Sequence, residues 1–215
     1  KAHFRVKRSV VSEKSSCKKA IMLKFLYQIP FLRRLYFDRL GLWWIKKKVA
    51  PFVEHLPKEA KIIDIGSGNG LICHYLGQQG FQVTPLDVVD MAYDESVQPV
   101  VYDGHVMPFE DNFFDVAMIL TVLHHTPAPE VVLKETQRIA KKIIIIEDIY
   151  NNPIHKRATF FMDWLVNLGY SPTPHTNKDD IGWKNTFKNK KLQLIHTSQW
   201  KVLLFFRQAV YILNK

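Results

Sequence analysis

The sequence predicts an open α/β fold, a mostly parallel sheet with helices on both faces, and three observations carry that reading. From residue 57 onward, short aliphatic and β-branched runs alternate with helical stretches. One run, Ile143-Ile144-Ile145-Ile146, is four β-branched residues in a row, which suits a strand buried on both faces. The first run ends in a glycine-rich turn that opens a helix, Asp64-Ile65-Gly66-Ser67-Gly68-Asn69-Gly70.

In chain order, residues 61–65 read as a buried strand and residues 71–79 as a helix that Gly80 stops. Residues 81–86 are a second strand ending at Asp87, with Pro85 inside it removing one ladder donor. Val100-Val101-Tyr102 leads into Asp103 as a third, and residues 114–120 are a fourth. Residues 130–140 are helical, with Val131, Leu133, Thr136 and Ile139 spaced as on a buried face. The isoleucine run is the fifth strand. Residues 155–168 read as a helix and residues 169–182, with Pro172 and Pro174, as a loop. Residues 192–198 and 208–213 read as two closing strands.

The chain has 215 residues, 47% of them hydrophobic, enough for one sizeable core. Its two cysteines, Cys17 and Cys73, are too few for a disulfide framework, and Cys73 reads as a small core residue. A reducing, cytoplasmic setting is expected. No apolar run approaches the roughly 18 residues that span a bilayer, and the N-terminus lacks the pattern of a secretory signal. The chain opens on Lys1, which leaves room for residues before it.

Charge divides the chain. Residues 1–48 hold 14 Lys/Arg against 2 acids, a net of +12, while the rest hold 16 against 18, a net of −2. Residues 1–17 form a basic tail. Residues 18–56 interleave Phe25, Tyr27, Phe31, Tyr36, Phe37, Trp43 and Trp44 with basic residues, and Pro30, Gly41 and Pro51 divide them into two or three short helices. Residues 57–215 form the α/β domain.

The chemistry is read from the strand ends. Glycines let the main chain approach a ligand where a side chain would clash. The G-x-G-x-G spacing differs from the G-x-G-x-x-G of dinucleotide binders, which weighs against an NAD-dependent oxidoreductase. Asp64, just before the turn, opposes a pyrophosphate and welcomes a cation such as a sulfonium or an ammonium. Asp87, 23 residues further on, can accept from both hydroxyls of a ribose. Asp103 can accept from an adenine amino group.

These residues resemble the class I S-adenosylmethionine-dependent methyltransferases, in particular their small-molecule and lipid branch. Residues 62–70 resemble the first motif of that family, Asp87 its ribose-binding acid, and residues 102–109 its adenine-binding segment. The resemblance covers about residues 57–149. It implies a Rossmann-like sheet of seven strands, the last antiparallel, with an N-terminal helical lid over the substrate. It also implies S-adenosylmethionine as cofactor and S-adenosylhomocysteine as product. Asp64, Gly66, Ser67, Gly68, Asn69 and Gly70 would border the methionine part, Asp87 and Val88 the ribose, and Asp103, Gly104, His105 and Val106 the adenine, with Thr121 near the cofactor at the fourth strand end. Two departures stand out: Lys141-Lys142 replaces a Pro-Gly-Gly turn, and no Asn-Pro-Pro-Tyr-like motif follows the fourth strand, which argues against methylation of a nucleobase amine.

Methyl transfer is largely a matter of positioning, and a base is needed only where the acceptor loses a proton. His124 and His125 follow the fourth strand. His124 stands in a Leu-His pattern similar to that of phosphoethanolamine methyltransferases, where the histidine takes part in catalysis; the alternative is a loop-positioning role. Asp148, with Glu147, ends the fifth strand and can orient a substrate or cap the structure, and it faces the cofactor only if Glu147 points away. No metal is expected, since no pair has the spacing of a metal motif. The acceptor is read as a small molecule or lipid, with Tyr150, Phe160, Phe161, Trp164, Tyr170 and Trp183 as apolar pocket residues or as plain core. Residues 18–50 suit an anionic membrane surface, which would place the protein on the inner face of a membrane. An RNA methyltransferase and a non-catalytic interaction module are the alternatives, nucleic acid ranking lower because the basicity does not extend to the domain.

Overall fold

The structure, a computed structural model, describes residues 29, 41–152, 156–157, 176–202 and 207–215. The basic tail, most of the N-terminal lid and all but two residues of the helix expected at 155–168 lie outside them.

The isoleucine run is the middle of the longest strand, β5 (Ala140–Ile149). It pairs in parallel with β4 (Phe114–Leu120) and antiparallel with β7 (Arg207–Asn214), and Ile143 to Ile146 are wholly buried. Parallel to β4 runs β1 (Lys61–Ile65), then β2 (Gln82–Asp87), then the two-residue β3 (Val100–Val101). Beyond β7, and antiparallel to it, lies the edge strand β6 (Gln193–Lys201), so β7 is the strand that runs against the rest. The seven-strand order is β3-β2-β1-β4-β5-β7-β6. It reverses between β1 and β4, so a crevice opens at the carboxyl ends of those two strands.

Because alternate residues of a strand face opposite sides, the sheet feeds two cores. On one side α1 (Leu42–Val49) and α2 (Leu71–Gln78) bury Ile45, Val49, Leu71 and Leu76 against Ile62, Met118, Ile144 and Ile146. On the other, α3 (Pro129–Ile139) and α4 (Asp180–Asn189) bury Leu133, Ile139, Trp183 and Phe187 against Ile63, Ile119, Ile143 and Ile145. Each such side chain contributes roughly 1.5–3 kcal/mol of transfer free energy. Residues 41–56 contribute α1 and a single 3₁₀ turn, Val53–His55.

Several expectations need correction. On α3 the buried face runs through Val132, not Val131, which is exposed. No loop separates α3 from β5: Ala140 caps the helix and opens the strand. The loop expected at 169–182 ends early, at Asp179, whose carboxylate accepts from Gly182 N at 2.7 Å and caps α4. Trp183 and Phe187, four residues apart, turn that helix inward, so Trp183 is core rather than acceptor pocket.

Pro85 is explained by strand polarity. Leu86 O accepts from Gly66 on the β1 side and Asp87 O accepts from Tyr102 on the other. By alternation the nitrogen of Pro85 faces away from β1, and β3 begins only opposite Leu86. The missing donor falls where no strand would receive it.

Trp183→Ala is expected to destabilise the fold by about 3–5 kcal/mol in a urea titration. Unchanged stability would return Trp183 to the acceptor pocket.

Candidate functional site

The glycine-rich turn leaves β1 with Gly66 N and Ser67 N both donating to Leu86 O, at 2.8 and 3.1 Å, which pins it to β2. Gly66 and Gly68 both have left-handed φ, +74° and +55°. A Cβ at Gly66 would lie 2.6 Å from Val122, whereas one at Gly68 would meet nothing within 4 Å. Gly66 therefore answers to packing, and Gly68 presents bare backbone to open space. Beside it Ser67 Oγ is buried and has no hydrogen-bond partner among the described residues.

Asp87 ends β2 with its carboxylate toward this turn. Oδ2 accepts from Gly68 N at 2.8 Å, and Oδ1 from Val88 N at 2.7 Å and Val89 N at 3.3 Å. Burial pushes its pKa up, and the three backbone N–H groups work against that rise. A lone pair remains on Oδ2 for a further donor. Asp103, beyond β3, is exposed. Its Oδ1 accepts from His105 N at 2.8 Å and Val106 N at 3.1 Å, which holds the carboxyl below its usual range. Val88 and Val106 stand 51% and 64% exposed beside it, two apolar walls with an acceptor at their edge. The sequence reading missed the groups that hold this segment. Arg138 of α3 donates to Phe109 O at 2.7 Å and Met107 O at 2.8 Å, and Glu135 accepts from Met107 N at 3.0 Å.

At the end of β1, Asp64 is 1% exposed. Burial raises its pKa to about 6, and the Cys73 thiol, donating at 3.3 Å, and the charge of Lys48 limit the rise. Asn69 and Gly70 close the turn: Asn69 Oδ1 accepts from Leu71 N at 3.2 Å, and Gly70 starts α2.

At the end of β4, Thr121 holds a φ of +64°, costly for a β-branched residue. Thr121 N donates to Ile146 O at 2.7 Å, and its hydroxyl donates to Leu120 O at 2.5 Å. The same hydroxyl accepts from Lys48 Nζ at 2.7 Å, and Lys48 also donates to Leu120 O at 3.2 Å. Lys48 is a second residue the sequence reading missed. The signal was there: among Lys46-Lys47-Lys48 only Lys48 follows Ile45 by three and adjoins Val49, the two buried residues of α1.

Glu147 and Asp148 diverge as strand alternation requires. Glu147, wholly buried, accepts from Val122 N at 3.1 Å and Leu123 N at 2.8 Å, and from His124 Nδ1 at 2.5 Å. His124 is 1% exposed. The ring of His125, half-buried, lies 4.0 Å from that of His124. Thr176 donates to the carbonyls of Leu123 and His124, at 3.2 and 3.1 Å, tying the far side of the loop. Asp148 points to the α1 side, accepts from Gln208 Nε2 at 2.9 Å, and feels the charges of His124 and Lys48; burial raises its pKa. Tyr150 is half-buried beneath the ammonium of Lys156, and Phe160, Phe161, Trp164 and Tyr170 lie outside the described residues.

A family model described as a methyltransferase domain matches residues 63–144. The fold superposes on the structure of a SAM-dependent methyltransferase from Methanosarcina mazei with a TM-score of 0.62 and 17% identity, over 77% of this chain and 97% of that one. Residues 63–144 thus match a methyltransferase domain, and the sheet that holds them has the fold of SAM-dependent methyltransferases. The domain is also similar to two curated enzymes. Sterol 4-C-methyltransferase of Caenorhabditis elegans is 28% identical over 142 residues, 58% of this chain and 42% of that protein. A tRNA (carboxymethyluridine(34)-5-O)-methyltransferase of Arabidopsis thaliana is 35% identical over 85 residues, 36% of this chain and 20% of that protein. The chain thus spans less than half the length of the curated relatives it matches.

Three outcomes are expected from the geometry of the methyltransferase domain. Glu147→Ala strips a buried histidine and two backbone N–H groups of their acceptor and should lower stability by about 3–5 kcal/mol in chemical denaturation. Gly66→Ala should unfold at lower temperature than Gly68→Ala, because only the first drives a Cβ into Val122. Asp64 has a folded pKa above its unfolded value, so the stability tied to its protonated form is present at low pH and is lost as pH rises through about 6. Asp64→Asn should therefore stabilise the ligand-free protein by about 3 kcal/mol at pH 8 and by less than about 1 kcal/mol near pH 4. A gain independent of pH would refute that origin.

Proposed function

We propose that the protein is an S-adenosylmethionine-dependent methyltransferase whose acceptor is a small or lipid-like molecule, met at a membrane surface. One observation carries the cofactor part: three acids, Asp64, Asp87 and Asp103, stand at or just beyond the ends of β1, β2 and β3, and Asp87 accepts from the bare backbone of Gly68 at 2.8 Å. In this reading Asp64 receives the cationic amino-acid end, Ser67 Oγ and the backbone of residues 66–70 line it, and Thr121 stands nearby. Asp87, with Val88, receives the ribose. Asp103, Gly104, His105 and Val106 receive the adenine.

Bound S-adenosylmethionine supplies a methyl group on a positively charged sulfur, a leaving group that needs no proton. The chain's own residues then position the acceptor and, where it carries an N–H or O–H, take its proton. The proposal gives that proton to the half-buried His125. His124, locked through Nδ1 to Glu147, fixes the loop that carries it. Asp148 helps set the field around both.

Two observations support the acceptor class. The match to the sterol enzyme is the longer, 142 residues against 85. On α1, Trp43 and Trp44 are 54% and 37% exposed beside Lys46 and Lys47, with Lys47 Nζ 3.9 Å from the centroid of Trp43. Amphipathic rings flanked by lysines suit an anionic interface. Among the described residues no helix is long and apolar enough to cross a membrane. The similarity to the tRNA enzyme favours a second reading, RNA as acceptor.

Calorimetric titration with S-adenosylmethionine and S-adenosylhomocysteine, with NAD as control, tests the cofactor. Micromolar binding of the first two, weakened at least tenfold by Asp87→Ala, is expected. Binding of neither would leave the chain an interaction scaffold. Sedimentation with anionic and neutral vesicles tests the surface: the full chain should favour anionic ones, and Trp43→Ser with Trp44→Ser should abolish the preference. Tight, salt-sensitive RNA binding with no vesicle binding would move RNA to the front.

A further inference from the structure

The crevice at the ends of β1, β4 and β5 is an awkward place for an amino acid. S-adenosylmethionine brings an ammonium and a carboxylate on the same carbon. Asp64 and Asp148 line the α1 side of these strand ends and Glu147 lies behind them. Asp64 and Glu147 are buried and Asp148 is half-buried, where like charges interact strongly. Such a surface attracts the ammonium and repels the carboxylate, so a cofactor bound through Asp64 needs a cation close by.

We infer that Lys48 is that cation: it is the residue of this site that recognises the carboxylate of the cofactor's amino-acid end, opposite the ammonium received by Asp64. The inference rests on the S-adenosylmethionine reading above. Its basis is placement. The last turn of α1 delivers the ammonium to the β4 end, 3.2 Å from Leu120 O and 2.7 Å from Thr121 Oγ1. Both partners are uncharged, and an ammonium has three protons, so one donor remains for an incoming anion. The carboxyl groups of Asp148, Asp64 and Glu147 all act on it. Burial nevertheless lowers the Lys48 pKa on balance, and a ligand carboxylate would offset that penalty. Lys46 and Lys47, its neighbours in sequence, face solvent and cannot substitute. The consequence for the fold is that α1 becomes part of the cofactor site.

The test compares S-adenosylmethionine with decarboxylated S-adenosylmethionine, which keeps the sulfonium and the ammonium and lacks only the carboxylate. Affinities of the full chain are measured by calorimetry for wild type, Lys48→Gln and Lys48→Arg, with thermal melts to confirm folding. Wild type should prefer the carboxylate form by about 10–100-fold, as a charge-assisted hydrogen bond provides. Lys48→Gln, which keeps a donor but no charge, should lose that preference and leave the decarboxylated ligand as tight or tighter. Lys48→Arg should retain most of it. Equal weakening of both ligands by Lys48→Gln would make Lys48 merely structural and overturn the inference. Equal affinity of wild type for the two ligands would overturn it without any variant. Wild type that binds neither ligand would overturn the cofactor reading itself, and this inference with it.

Discussion

Carboxyl groups buried at the carboxyl ends of adjacent parallel strands are the constraint to which the rest of the molecule answers. A carboxylate taken out of water must be matched by donors or by charge, or it takes up a proton. Here each of three acids meets that demand differently. Glu147 is satisfied by two backbone N–H groups and a histidine. Asp148 has the amide of Gln208 and the nearby charge of His124. Asp64 has, among the described residues, a thiol and the charge of Lys48, and its pKa rises to about 6. The least satisfied acid is the one at the mouth of the glycine-rich turn.

That gradient separates scaffold from site. Glu147 faces the α3 and α4 side and stitches β5 to the loop after β4, so the strained Thr121 and the histidine pair hold one conformation. Asp64 and Asp148 face the α1 side, where unmet capacity for a cation persists. Strand alternation enforces the split, since neighbours 147 and 148 must point to opposite faces. A site with donors and acceptors left over suits ligand binding; a site with none is structural. The same distinction holds along the turn, where Gly66 is filled by Val122 and Gly68 faces open space.

The sequence made the platform legible. Aliphatic and β-branched runs located the strands, most plainly β1, β4 and β5, whose burial on both faces calls for a near-continuous apolar stretch. The acids 64, 87 and 103 were legible because strand ends and a glycine turn mark the ligand face of any such sheet. Less legible were α4, whose inward face is only Trp183, Thr186 and Phe187, and the short β3, whose pairing depends on where β2 ends. A two-residue error in a boundary leaves a strand recognisable. A one-residue error on a helix face exchanges Val131 for Val132.

What the sequence by itself determined was everything with a local period: strands, most helices, the turn and the acids that follow strands. What only the tertiary structure decided was which side chains meet across the chain. Lys48 and Thr121 are 73 residues apart, Gln208 and Asp148 are 60 apart, and Glu147 reaches back 23 residues to His124. Nothing in the local pattern encodes those pairs, because they arise from the order in which strands lie side by side. The polarity of the strands decided the rest, including why Pro85 is tolerated and why Glu147 supports the loop while Asp148 faces the crevice.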